Sequence, residues 1–334
     1  MEKQLSVCII SVYFGEFLNS VKLWIKSCEY NPTIDFLLVT NQKITYPLPP
    51  NIHLFPYTLQ KMQQKATEIL GFNANLNRPY KCCDYKTIYG CLFSEQLKKY
   101  DYWGYCDMDI LFGDIRSFLN KYNLQKYDKF LTLGHLSLYR NVKKINDAYM
   151  LSGAIYNNKP ISYKDVFSND INYTFDELRG IYSIFIKNKF TVFYKNIFAD
   201  ISFKFIRYRI VDDFYQIDPI RPCNYRYQIF YWEKGKVKRA YYKQGEIHTE
   251  EYIYIHFQKR PNFLVNFDEN KIDSFYITHC GFFPKKDNVS KKIIKKLVPY
   301  SILEEKYRIF KMEYYNRWGK GILNNFQKIF KGFF

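Results

Sequence analysis

Only 8 of the 334 residues are cysteine. Cys8, Cys28, Cys82, Cys83, Cys91, Cys106, Cys223 and Cys280 include no Cys-x-x-Cys pair, which excludes a zinc finger or ribbon. Several sit inside apolar runs, so buried reduced thiols in a cytoplasmic protein are expected. Long apolar stretches are also missing. Leu5–Phe14 is too short to span a bilayer and lacks a signal-peptide cleavage pattern, so it reads as a first buried strand. Glycine is sparse at 14 residues, and no Gly-rich phosphate loop lies near that strand. This ranks a sugar nucleotidyltransferase below other readings. Acidic residues are few, 32 Asp and Glu against 50 Lys and Arg, for a formal charge of +18. Such an imbalance implies acidic partners: nucleic acid, anionic lipid or phosphorylated substrates. No helix-turn-helix signature, zinc-finger spacing or RNA-binding aromatic motif is present, so a nucleic-acid partner is not expected.

What the chain does have is an apolar fraction of 47%, enough for a sizeable globular core, and an aromatic fraction of 20%. The 33 Tyr and 30 Phe suit sugar, base or membrane contacts, although an AT-rich coding sequence would supply them without function. Short apolar runs at Ser6–Tyr13, Asp35–Thr40, Ile52–Phe55, Tyr102–Cys106 and Lys129–Leu133 predict strands. Helical periodicity fills Leu18–Cys28, Thr58–Leu70, Asp84–Lys99 and Phe175–Lys187. The alternation predicts an α/β protein with a parallel-type sheet. Lys234-Gly235 predicts a hairpin, and Tyr252–His256 a late strand. The composition turns Lys-rich near Lys285, which divides the chain into residues 1–284 and a segment 285–334.

The sharpest chemical signal is Asp107-Met108-Asp109 directly after the strand Tyr102–Cys106. Ligands of open α/β sheets bind beyond the carboxyl ends of the strands. Two hard oxygen ligands placed there suit Mn²⁺ or Mg²⁺ on a diphosphate.

Tyr13-Phe14-Gly15, Trp24–Cys28, Asp84-Tyr85-Lys86 and Trp103–Asp109 resemble bacterial glycosyltransferases of capsule, lipopolysaccharide and exopolysaccharide clusters. Gly134-His135, Leu138–Asn141, Phe175-Asp176-Glu177 and His256–Arg260 follow the same family's pattern in the same order. The resemblance implies a GT-A (Rossmann-like) fold, a mixed central sheet with flanking helices. It also implies a nucleoside-diphosphate sugar donor and a divalent metal. On this resemblance Asp107, Asp109 and His256 hold the metal, and Tyr13, Phe14, Asn41, Asp84, Lys86, Asp107, Lys259 and Arg260 bind the donor. Asn41 departs from the family, which often has Asp there. His135, Arg140 and Asn141 are the acceptor contacts it suggests.

Several of these residues also have structural readings. Asp84 precedes a helical stretch and could simply cap it. Asp176-Glu177 falls at an expected helix start, where carboxylates favour the dipole. The alternative is a general base on an acceptor hydroxyl, or a carboxylate lining the reacting face if configuration is retained. His256 is either a satisfied structural histidine or a metal ligand.

Residues 285–334 carry 13 Lys/Arg against 4 Asp/Glu. Tyr307, Phe310, Tyr314, Trp318, Ile322, Phe326, Phe330 and Phe333 recur at helical spacing, interrupted by Gly319 and Gly321. Such a basic amphipathic segment suits an anionic membrane surface or docks on the rest of the chain. Together these features predict a metal-dependent glycosyltransferase, peripheral on the inner membrane face, acting on a saccharide acceptor that is lipid-linked. The competing readings are a sugar nucleotidyltransferase and a non-catalytic basic membrane- or nucleic-acid-binding protein.

Overall fold

A computed structural model describes residues 4–203, 205–211, 224–258, 264–265, 267–299, 301–303, 306 and 310. In chain order, strands β1 (Val7–Tyr13), β2 (Asp35–Thr40), β3 (Ile52–Pro56) and β4 (Tyr102–Cys106) are followed by β5 (Ile110–Phe112), β6 (Lys129–Phe130) and β7 (Leu136–Arg140). A short hairpin of β8 (Ile155–Tyr156) and β9 (Lys159–Pro160) precedes β10 (Val192–Phe193) and β11 (Ala199–Asp200). The main sheet has the order β10-β6-β7-β4-β1-β2-β3. β1 through β3 and β4 run parallel, whereas β7 is antiparallel to both β4 and β6. The sheet is therefore mixed, with flanking helices, as the family resemblance implied and not wholly parallel as strand–helix alternation alone suggested.

The remaining strands are β12 (Gln228–Glu233), β13 (Lys236–Lys243), β14 (Glu246–Tyr252), β15 (Tyr254–His256), β16 (Ser274–Thr278) and β17 (Gly281–Pro284). β14-β13-β12-β16-β17 form an antiparallel sheet, and β11-β15-β5 a small three-stranded one. The expected hairpin at Lys234-Gly235 joins β12 to β13, both turn residues having positive φ (47° and 79°) as a two-residue turn of this type requires.

Burial explains the strand pattern. Every residue of β4 is buried, because helices cover both faces of the main sheet and the strand need not alternate. One core layer gathers Trp103, Tyr105, Tyr139 and the aromatics of residues 85–100. The other packs Trp24, Phe36, Phe112 and Phe130 on the opposite face. The seven described cysteines are all free. Among the described residues no helix is long and apolar enough to cross a membrane.

Two helix expectations fail in an informative way. Asp84–Lys99 is broken into short turns at Cys82–Tyr85, Tyr89–Leu92 and Ser94–Leu97. Gly90 there lies against the Trp103 ring, where even a Cβ would come within 2.6 Å. In Phe175–Lys187 the α-helix begins only at Ser183, after a wide turn over Leu178–Tyr182. Asp176 and Glu177 thus stand in a loop and do not cap a helix.

The segment from Lys285 begins with the helix Lys291–Leu297, capped by the Ser290 side chain. Ile294 and Val298 pack it onto Ile229, Tyr231, Ala240 and Tyr276 of the antiparallel sheet. Of the aromatic stripe beyond it, Phe310 alone is described, exposed; the other stripe residues lie outside the described residues.

Candidate active site

A cavity of about 1110 Å³ opens at the carboxyl ends of β1 and β4. Its wall includes Tyr13, Phe14, Asp107, Asp109, Asp176, Glu177 and His256. β4 delivers Asp107, and β5 begins immediately after Asp109. β15 pairs antiparallel with β5, setting His256 opposite Ile110, and the Phe257 N–H donates to the Asp109 carbonyl. This pairing carries the histidine across 147 residues of sequence to the Asp-x-Asp strand end. His256 Nε2 lies 3.5 Å from Asp109 Oδ1. The Asp107 and Asp109 side chains are 32% and 26% exposed, facing the cavity.

The ligand atoms of Asp107, Asp109 and His256 lie within 4.8 Å of one another. Two carboxylates and one imidazole suit Mn²⁺ well and Mg²⁺ less so, because nitrogen is the softer donor. In the protein alone, burial would raise Asp109, but the His256 imidazolium outweighs it and holds the carboxyl below its usual value. Burial would lower His256, yet Asp109 and Asp200 together hold it well above the usual imidazole range. The residues present therefore fit a divalent cation, which would take over the role of that proton.

Lys86 stands opposite. Its Nζ donates to Asp107 Oδ1 at 2.6 Å, the Gly134 carbonyl at 2.8 Å and Asp176 Oδ2 at 3.1 Å. An ammonium has three N–H donors, so Lys86 has none left for a donor phosphate. It sits between the two carboxylates and lines the cavity. Burial opposes its charge, but Asp107 and Asp176 raise it well above the ordinary lysine value.

Asp176 and Glu177 pack onto the backbone of Gly134, where a Cβ would approach Asp176 Oδ2 to 2.3 Å and Glu177 Oε1 to 2.8 Å. A side chain there would have to displace the two carboxylates. Burial raises both carboxyls, Asp176 against the pull of Lys86 and Glu177 with the added push of Asp176. Only Glu177 of the two is partly open; the Asp176 side chain is 5% exposed.

Other expected site residues lie elsewhere. Asp84 is fully buried beneath the cavity and accepts from Lys81 Nζ and from the Tyr173 and Phe175 N–H groups. It anchors the Asp176 loop and cannot reach a donor. Arg140 and Asn141 stand at the other end of the sheet, since Arg140 is paired with Tyr102 at the start of β4. Arg140 bonds to Tyr127 O and Asp128, and Asn141 to Leu97 O and Tyr100 O, which leaves neither for an acceptor. Asn41 accepts weakly from the Gly15 N–H at 3.4 Å and is not part of the cavity wall. His135 is in the wall but buried, stacked on His256. Lys259 and Arg260 lie outside the described residues. Asp200, Tyr80 and Arg179 line the cavity without having been foreseen. Asp200 ends a short apolar run, Phe198-Ala199, the same signal that marked Asp107.

The model of one protein family matches residues 9–286, most of the chain. The chain belongs to the family of unknown function DUF6625. No curated protein matches it. Two solved structures of LgtC are similar to this DUF6625 member over part of their length. One, an active-site mutant of LgtC, is 12% identical with a TM-score of 0.37. The other, galactosyltransferase LgtC in complex with donor and acceptor sugar analogs, is 13% identical with a TM-score of 0.31. Each alignment covers 58% of this chain and 75% of that chain. At such scores the likeness carries neither an activity nor a substrate over to this chain.

Proposed function

We propose that the chain is a metal-dependent glycosyltransferase of GT-A type, transferring a sugar from a nucleoside-diphosphate donor, UDP-linked, to a saccharide hydroxyl. The observation that carries this reading is the convergence of Asp107, Asp109 and His256 at one sheet edge, in the wall of a large cavity that Glu177 also lines. A divalent ion held by Asp107, Asp109 and His256 would supply positive charge to a departing diphosphate. Tyr13 and Phe14 offer aromatic surface to the nucleotide. The bond from the anomeric carbon to the diphosphate breaks with its electron pair going to the diphosphate, and the acceptor oxygen forms the new bond. Glu177, partly open to the cavity with a raised pKa, is suited to take the proton the hydroxyl sheds. Asp176 is fixed by Lys86 and lines the reacting face.

The basic face of Lys291–Leu297 and the Lys/Arg-rich sequence beyond it support peripheral binding to an anionic membrane, and with it a lipid-linked acceptor of surface polysaccharide synthesis in the cytoplasm. The deciding experiment incubates the full chain with a panel of UDP- and GDP-sugars, with Mn²⁺ and with EDTA. Mn²⁺-dependent release of nucleoside diphosphate from one donor is expected. No release from any donor, beside metal-dependent turnover of a sugar phosphate with a nucleoside triphosphate, would favour a nucleotidyltransferase instead.

A further inference from the structure

His256 belongs to two overlapping clusters, one with Asp107 and Asp109 and the other with His135 and Asp200. An ion cannot use both. The His135 and His256 rings are stacked, 4.3 Å between centroids and 19° between planes. An imidazole lone pair lies in the plane of its ring, and two nearly parallel planes do not converge on one ion. Both Asp200 oxygens are also engaged, Oδ1 by His256 Nδ1 and Oδ2 by Gln258 Nε2, each at 2.7 Å. The second cluster is therefore not a rival ion site but the mounting of the first.

We propose that Asp200 and His135 are positioning residues that hold the His256 ring from its edge and its face, so that Nε2 is turned toward Asp107 and Asp109. β11 and β15 run parallel with Asp200 in register with His256, which fixes the edge contact in the backbone itself. Asp200 is 6% exposed and His135 5%, so neither ring nor carboxylate has room to swing. With Nδ1–H donated to Asp200, the lone pair of His256 is left on Nε2, the nitrogen nearer Asp109. A ligating histidine tied to a carboxylate in this way is both oriented and made more basic, and loss of such a partner weakens metal binding about 10- to 100-fold. His135 is itself fixed by the Tyr254 hydroxyl, 2.6 Å from Nδ1. Among the described residues its Nε2 has no hydrogen-bond partner, so the ring is held through Nδ1 and its stacked face.

This inference rests on the metal reading above, and the test separates the two. Mn²⁺ binding by the full chain is titrated by electron paramagnetic resonance, which needs no substrate, with melting in EDTA as the control for folding. Asp200→Asn is expected to bind Mn²⁺ at least about tenfold more weakly than the natural protein. The double variant with His256→Ala should bind no more weakly than His256→Ala alone, because Asp200 acts through that histidine. His135→Phe keeps the ring and should retain the affinity that His135→Ala loses. If His256→Ala weakens Mn²⁺ binding but Asp200→Asn does not, the positioning role is wrong and the ion site stands. Should His135→Phe lose as much as His135→Ala, His135 is a ligand and the proposal is overturned. An intact protein that does not take up Mn²⁺ at all ends both readings together.

Discussion

Lys86 Nζ lies 2.6 Å from Asp107 and 3.1 Å from Asp176, joining the end of β4 to the Asp176 loop beside it. Lys86 is 7% exposed and Asp176 5%, so that contact is made away from water, whereas Asp107 is 32% exposed and faces the cavity. Removing one member of a buried ion pair leaves an uncompensated charge and costs about 3–5 kcal/mol. Lys86→Met should therefore lower the denaturation midpoint sharply and abolish turnover. Adding Asp176→Asn should recover part of the stability, because it removes the stranded charge, without restoring activity. A Lys86→Met protein as stable as the natural one would show that the contact is incidental.

The Asp-x-Asp pair makes a separate prediction. Asp109 and Asp107 are partly exposed to the cavity, where Asp109 meets His256 and Asp107 meets Lys86. Asp109→Ala should leave the melting temperature in EDTA near its normal value, while Mn²⁺ uptake and transfer disappear. Asp107→Ala should do nearly the same to transfer. Normal turnover by a folded Asp109→Ala protein would remove the metal centre from the mechanism.

Glu177 carries the pH dependence. Burial and the neighbouring Asp176 raise its pKa, so it holds its proton beyond the ordinary glutamate value of about 4.3. A base works only once deprotonated. The rate should therefore climb with pH on a limb lying above that of a solvated glutamate, and fall as pH drops through it. Glu177→Gln should lose at least about 10²-fold in rate and the limb with it. Steady-state kcat/KM across pH for the two proteins makes the comparison, and an unchanged limb in the variant assigns the titration to another group.

Lys129 predicts a change in stability with no part in chemistry. It is wholly buried, hydrogen-bonded to the Leu131 carbonyl and Ser137 Oγ, and burial pulls its pKa down to about 7 despite Glu177 and Asp176. In the unfolded chain a lysine titrates near 10.4. Between those values the unfolded state binds the extra proton, so this group makes folding more favourable as pH rises from about 7 to about 10, by up to about 1.4 kcal/mol per unit. Below about 7 its penalty is constant. Lys129→Met removes the dependence. Urea melts of both proteins at pH 7 and 9 should show the natural protein gaining relative to the variant; parallel behaviour would mean that Lys129 stays charged.

What could be read from the sequence depended on how local each signal was. β4 and its two carboxylates were legible because an apolar strand ending in Asp-x-Asp is contained in eight residues, Tyr102–Asp109. Asp84 and Lys86 were singled out as donor contacts, whereas their contacts in the structure are to other residues of the chain. Their roles are set by Asp176 and the Tyr173 and Phe175 backbone, about ninety positions away in the chain, and no periodicity reports that. Asp200 ends an apolar run as Asp107 does, but its register with His256 arises only when β11 pairs with β15. Arg140 and Asn141 follow the family pattern yet serve the opposite end of the sheet, where motif order carries no information about which strand end a residue occupies.

The last prediction concerns the basic end of the chain. Lys291–Leu297 buries Ile294 against the antiparallel sheet and leaves Lys292, Lys295 and Lys296 exposed. Lys291 is partly covered, its Nζ 3.9 Å from the Tyr242 ring centre. Cutting at Lys285 would therefore strip a packed helix from the sheet, so the informative truncation removes residues 299–334 instead. That stretch holds seven Lys/Arg against three Glu, along with the aromatic stripe. Each lysine or arginine near an anionic bilayer contributes about 1 kcal/mol, and aromatic side chains bury in the headgroup boundary. Co-sedimentation with phosphatidylserine-containing vesicles should retain the full chain and release much of the truncated one, whose melting temperature and activity on a short soluble acceptor are expected to be normal. Retention should weaken with salt, as the screening length falls from about 10 Å at 0.1 M to about 3 Å at 1 M. An insoluble truncated protein, beside a full chain that ignores the vesicles, would mean that the stripe covers the protein's own surface and that its lysines merely face water.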